Sequence, residues 1–476
     1  MAWNVLGTGL PLAVALWAIP RLVEGLGLER FGILALVWAL VGYFSLFDLG
    51  ASRALTKLVA ERLGGGRQKE IAPLVRGSLR LLHIVGLLVA PCLAGIAPWA
   101  VGRLFAVSPL LMREAGWSLA IAALSLPLVI STAAFVGVLQ AHQRFRTVAA
   151  IQAGIGVAVF LGPVAALALK PSLVVTTLAL VVARLLGWVA FRQACLRLLR
   201  GLDSRPQEAG PVLRELLSFG VWVSITNVVG PLMLYLDRFL IGSLLTMAAV
   251  TYYATPYEVV TRLWVIADGI VAVLFPALTT AMVYDTTRAR IIFATASRAM
   301  LLAVGLPAAM ILLFAPEVLQ LWLGTHFANE SAPVARWLAV GVFANAAARL
   351  PFVALHARGR PDVTAKLHLI ELPIYLCILW VFVESFGIEG AAAAWTLRAA
   401  GDAAALFFSA MRLVPELSAS QLRTLLGAVG GLAVLSALPA VHSPGLRIVI
   451  ATGLVAGASG LVVRDLRVLR MRPSQG

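Results

Sequence analysis

The sequence predicts an all-α polytopic membrane protein of about 14 transmembrane helices, built as two six-helix lobes plus two C-terminal helices. Three observations carry this: the composition, the recurrence of bilayer-length apolar stretches, and an internal repeat. Of 476 residues, 61% are hydrophobic and 13% charged, whereas a soluble domain carries about 25% charged residues. The strand alternation of a membrane β-barrel is absent. The formal net charge is +16. In a soluble protein that excess would point to nucleic acid, but here the basic residues lie between apolar segments and point to orientation and anionic-lipid contact.

In chain order, the apolar segments run approximately 3–20, 31–50, 80–102, 115–139, 148–169, 172–191, 217–241, 248–282, 295–315, 335–356, 368–386, 390–411, 422–440 and 446–463. The eighth is long enough to tilt or kink at Pro276. No basic region precedes the first segment and no small-residue cleavage site stands out, so no cleavable signal peptide is read. Cys92, Cys195 and Cys377 form no redox or metal motif.

Charge sets the predicted topology. Alternate loops are basic, beginning with 51–80 (Arg53, Lys57, Arg62, Arg67, Lys69, Arg76, Arg80) and ending with the tail (Arg464, Arg467, Arg470, Arg472). The intervening loops hold only Arg21, Arg30, Arg103, Arg113, Lys170, Arg336 and Arg447. The positive-inside rule then puts both termini in the cytoplasm. The longest outer loop, about 316–334, is too short for a folded domain. The basic linker at 192–216 holds Gly201, Pro206, Gly210 and Pro211 and reads as a joint between halves.

A repeat supports that division. Arg21–Gly25 matches Arg238–Gly242, Asp48 matches Asp268, Leu139–Arg144 matches Leu355–Arg360, and Arg184–Gly187 matches Arg398–Gly401, all 214 to 220 residues apart and in order. Six spans per unit preserve the crossing sense, so the pseudo-twofold axis lies along the membrane normal. The expected organisation is an N-lobe at 1–200, a cytoplasmic linker at 201–216, a C-lobe at 217–415, and two extra helices with a basic tail at 416–476.

Five arginines fall inside spans: Arg184, Arg238, Arg262, Arg349 and Arg398. A charge at mid-bilayer depth costs about 2.5–3.5 kcal/mol on insertion scales, which makes each a functional candidate. Arg184 and Arg398 occupy equivalent places and are expected to face each other across the pseudo-axis. A guanidinium stays charged and grips phosphate bidentately. Gly187 and Gly401 beside them would allow close helix approach. Asp402 reads as a partner for Arg398. Glu258 and Arg262 are spaced to pair on one helix. Asp237 and Arg238, near an outer face, read as a snorkelling anchor as readily as a ligand. Asp48 and Asp268 suit either a proton or sodium site or partners for the arginines. The histidines are scattered with no metal spacing, the triple glycine 64–66 lacks a following Lys-Ser/Thr and is a linker, and no nucleophile–base set stands out.

The stretches LERFGILALVWALVGYFSLFDLGASRALTKLVAE (28–61), YLDRFLIG (235–242), FPALT (275–279), ALHARGRPDVTAKLHLIELPIYL (354–376) and GIEGAAAAWTLR (387–398) resemble the Wzx-type polysaccharide flippases of the multidrug/oligosaccharidyl-lipid/polysaccharide exporter superfamily. The resemblance implies a MATE-like V of two lobes, working by alternating access. It implies a non-enzymatic flippase that moves undecaprenyl-diphosphate-linked oligosaccharide from the cytoplasmic to the outer leaflet of a bacterial inner membrane, for O-antigen or related surface glycans. Within it, Arg184, Arg398, Arg262 and Arg349 are the candidate cavity cations, and Asp48, Asp268, Glu258 and Asp402 the candidate coupling or ion-pair carboxylates. No cofactor or metal is expected beyond a coupling H+ or Na+; anionic lipid, a glycan polymerase and chain-length proteins are the candidate partners, and no nucleic acid. Relatives carry a short cytoplasmic lead-in where this chain starts its first helix almost at Met1. A lipid II flippase or a cation-coupled multidrug exporter of the same fold are the alternatives; the second would favour acids and aromatics over arginine. A glycan polymerase or ligase would need outward catalytic loops that this chain lacks.

Overall fold

The computed structural model describes residues 2–44, 51–199, 233, 235–441 and 443–470, with side chains for 9–44, 55–199, 233, 235–441 and 443–458. Among these residues the chain is helical, with no strand. The helices are α1 (Ala2–Leu26), α2 (Leu28–Phe44), α3 (Ala51–Gly64), α4 (Ile71–Leu104), α5 (Met112–Leu124), α6 (Leu126–Ala141), α7 (Phe145–Leu169) and α8 (Leu173–Leu199). They continue with α9 (235–244), α10 (Met247–Val260), α11 (Trp264–Tyr284), α12 (Thr286–Leu323), α13 (Thr325–Ala357), α14 (Pro361–Leu413), α15 (Ser418–Ala437) and α16 (Pro444–Arg470). Ten helical stretches among the described residues are long and apolar enough to cross a bilayer, and the protein is a multi-pass membrane protein.

The chain forms two compact units, Met1–Ala254 and Thr255–Gly476. In unit 1, α7 packs on α1 and α8, and α6 packs on α3, α4 and α8. In unit 2, α13 packs against α11, α12 and α14. With 78% of its apolar window buried, α13 is the core element of that unit. α15 rests on α12, α13 and α14, with Ala428 against Ala347 and Phe407. Residues 201–216, the predicted linker, lie outside the described residues, as do 217–232 and Asp48.

Several boundaries differ from expectation. The basic stretch 51–80 is largely helical: α3 buries Leu55, Leu58 and Val59, and Arg62 and Arg67 both pair with Glu70 at 3.3 and 3.8 Å to fold the turn into α4. Apolar residues at helical spacing thus override the charge run. The predicted outer loop 316–334 shrinks to Gly324, because α12 and α13 both extend past their apolar windows and only Gly324 (φ 88°) leaves helical geometry. The eighth span breaks at a 3-10 turn, Thr261–Leu263, while Pro276 sits inside α11; membrane helices absorb proline where neighbours re-satisfy the backbone. The eleventh and twelfth spans are the two halves of α14, parted at Gly387 (φ 61°). Gly390 follows because a Cβ there would stand 1.9 Å from the Phe382 carbonyl oxygen.

The Leu139–Arg144 and Leu355–Arg360 matches carry the same backbone device. Arg144 N–H donates to Leu139 O and Arg360 N–H to Leu355 O, both at 2.9 Å, with Gln143 (φ 57°) and Gly359 (φ 77°) left-handed between. This is the Schellman helix end, placed at the same point of each repeat.

Candidate functional site

In unit 1, α8 carries Arg184 into a cavity of about 280 Å³ lined by Thr56 of α3, Thr132, Gly137 and Gln140 of α6, and Gln152 and Ile155 of α7. The polar lining is hydroxyl and amide. The Arg184 Nε is buried and makes no hydrogen bond, and among the described residues no carboxylate forms an ion pair with it. Gly187, one turn on, permits a close crossing, since a Cβ there would meet Ile155 Cδ1 at 2.3 Å. The residue equivalent to Asp402 is Trp188, whose Nε1 donates to Ser131 Oγ at 2.7 Å.

In unit 2 the equivalent arginine is differently housed. Arg398 Nη1 meets Glu371 Oε1 at 3.2 Å, and its guanidinium lies 5.4 and 5.7 Å from the Tyr375 and Trp395 ring centroids, within cation–π range. The ion pair joins residues on opposite halves of α14, which the reversal at Gly387 brings together. The sequence reading made Asp402 the partner; the structure instead gives Glu371 that role and sets Asp402 Oδ1 3.8 Å from His368 Nε2. Gly401 does not serve helix approach, because a Cβ there would meet nothing within 4 Å. The residue lines a cavity of about 320 Å³ with Ile370, Ile374, Leu397, Glu371, Arg398 and Asp402.

The other predicted residues pair locally. Arg262 Nη2 meets Glu258 Oε2 at 3.3 Å, one turn away. Arg349 pairs with Asp268 and lies 5.8 Å from the Trp264 ring, joining α13 to α11. Asp237 and Arg238 are not snorkelling anchors: they are 0% and 1% exposed, with Asp237 accepting from its neighbour's backbone N–H and from Tyr253 Oη. One cluster escaped the sequence reading. His368, Glu371 and Asp402 bring one ligand atom each within 4.8 Å of one another. The His368-x-x-Glu371 spacing was the available signal, since three residues place two side chains on one helix face.

Polysaccharide biosynthesis protein is the description of the family that matches residues 1–282. This chain belongs to that family. It is also 27% identical to a Shigella flexneri protein described as "Putative O-antigen transporter", over 403 residues that make up 84% of this chain and 94% of the other. Among solved structures, the lipid II flippase MurJ in an inward closed conformation covers 98% of this chain and 100% of its own at TM-score 0.74 and 14% identity. An inward-facing multidrug resistance MATE transporter covers 92% and 100% at TM-score 0.71 and 14% identity. These likenesses give the family member a MATE-like fold.

Proposed function

We propose that this polysaccharide-family protein is a flippase for undecaprenyl-diphosphate-linked oligosaccharide, carrying it from the cytoplasmic to the outer leaflet of a bacterial inner membrane by alternating access, with both termini cytoplasmic. The observation that carries the reading is Arg184. Of the four candidate cavity arginines, Arg262, Arg349 and Arg398 each have a carboxylate partner, and Arg184 among the described residues has none. A guanidinium kept charged beside amides and hydroxyls at a cavity wall is an anion site held open. A diphosphate supplies the negative charge, and the amides and hydroxyls of Gln140, Gln152 and Thr132 suit its oxygens or the first sugar.

Arg398, Arg262 and Arg349 are held in reserve by Glu371, Glu258 and Asp268, which a substrate anion would displace. Asp48, Asp268, Glu258 and Asp402 are the carboxylates through which H+ or Na+ would be coupled. The O-antigen description of the Shigella relative favours a surface glycan over lipid II, while the MurJ likeness bears on fold alone. A glycan polymerase, chain-length proteins and anionic lipid are the proposed partners. The cellular test is surface-glycan export by Arg184→Ala in a strain lacking the native gene. Export is expected to disappear while the protein stays in the membrane; export at the wild-type level overturns the assignment. Arg184→Lys should restore only part, because the bidentate fork is lost.

A further inference from the structure

We infer that His368, Glu371 and Asp402 form a binding site for a divalent transition-metal ion inside unit 2. The geometry is that of a three-ligand site from two helical segments. His368 and Glu371 share one face of the first half of α14, and Asp402 comes from the second half. The three ligand atoms lie within 4.8 Å of one another, and His368 Nε2 and Asp402 Oδ1 are 3.8 Å apart. Ligands about 2.1 Å from a tetrahedral ion stand about 3.4 Å apart, so the three atoms need draw together by about 1.4 Å at most.

Two buried carboxylate oxygens favour a cation as their partner. Asp402 is 9% exposed, yet its Oδ1 accepts no hydrogen bond, and Glu371 Oε2 is likewise buried without one. A buried anionic oxygen with no donor is costly, and such groups are ordinarily paired or bound to metal. Arg398 does not satisfy them: its Nη1 meets Glu371 Oε1, the other oxygen of that carboxylate. Arg398 instead fixes Glu371 as an outer partner fixes a metal ligand.

The imidazole selects the class of ion. Calcium and magnesium take all-oxygen sets, whereas one nitrogen and two carboxylates suit Zn2+, Co2+ or Mn2+. The adjoining cavity of about 320 Å³ reaches Glu371 and Asp402 and leaves a coordination position open. Packing does not demand the trio. At the repeat offset of Arg184 to Arg398, the unit 1 equivalents are Gly154, Val157 and Trp188, none of which ligates a metal.

The metal site shares Asp402 and Glu371 with the proposed transport function, but its test reads metal and not export, so the two can fail separately. The full-length protein, purified in detergent, is stripped with a chelator, desalted and titrated with Co2+ and then Zn2+, with bound metal counted by elemental analysis. The expected result is one ion per chain, a Co2+ visible spectrum of nitrogen and oxygen ligands, and displacement by Zn2+. His368→Gln and Asp402→Asn should each weaken binding by about tenfold or more, and His326→Ala should leave it unchanged. No uptake by the wild-type protein above a protein-free detergent blank overturns the inference whether or not the variants fold. So does uptake that His368→Gln and Asp402→Asn leave at the wild-type level, which would place the ion elsewhere.

Discussion

The two repeat-related arginines differ in what their removal leaves behind, and that separates function from folding. Arg398→Ala strands Glu371 as a half-buried carboxylate, and breaking a buried pair costs about 3–5 kcal/mol. Among the described residues, Arg184→Ala strands neutral amides and hydroxyls and no carboxylate. The expected outcome is that Arg184→Ala melts within about 1 kcal/mol of wild type in detergent, because among the described residues it leaves no carboxylate stranded by the loss of a partner, and still exports nothing. Arg398→Ala should lose thermal stability as well as export, and adding Glu371→Gln should recover the stability alone; a melt unaffected by Arg398→Ala would sink the ion-pair account. The Schellman turns give a second prediction. Gln143 adopts φ 57° where its repeat counterpart is Gly359, and a left-handed non-glycine residue costs about 1 kcal/mol. Gln143→Gly should therefore raise the thermal midpoint and Gly359→Gln lower it, read by scanning fluorimetry. At this scale the sequence identified the arginines because buried charge is conspicuous in apolar runs. It missed the partner of Arg398 because Arg398 and Glu371 lie 27 residues apart and meet only through the reversal at Gly387.

Among the elements, glycines that touch backbone define where helices cross. A Cβ on Gly32 would stand 1.8 Å from the Met247 carbonyl oxygen, joining α2 to α10, whereas one on Gly401 would meet nothing within 4 Å. Overpacking costs about 1–3 kcal/mol and more where backbone must shift. Gly32→Ala is expected to lower the thermal midpoint markedly and Gly401→Ala to leave it nearly unchanged. Equal melting of the two variants would contradict these crossings. Element identity was largely readable, because bilayer-length apolar runs have few alternatives to helix. Element ends were less so. The α12–α13 junction falls at Gly324 rather than across 316–334 because polar residues continue a helix as well as end a span. The break in the eighth span sits at Thr261–Leu263, where no proline marks it.

For the molecule as a whole, the family match over residues 1–282 and the O-antigen relative place this multi-pass protein in polysaccharide biosynthesis, and the distribution of arginine sets its expected orientation. A C-terminal green fluorescent protein fusion should fluoresce and an alkaline phosphatase fusion at Gly476 should stay inactive; the reverse pattern would invert the topology. The central proposal is that a diphosphate-linked glycan crosses the bilayer on Arg184, which has no carboxylate partner among the described residues. The most direct measurement is transbilayer movement of undecaprenyl-diphosphate-linked oligosaccharide in proteoliposomes, followed by the access of an impermeant enzyme to its sugars. Wild-type protein should speed the movement well above protein-free vesicles, lipid II should move more slowly, and Arg184→Ala should behave like protein-free vesicles. Movement by Arg184→Ala at the wild-type rate, or a preference for lipid II, would contradict the account.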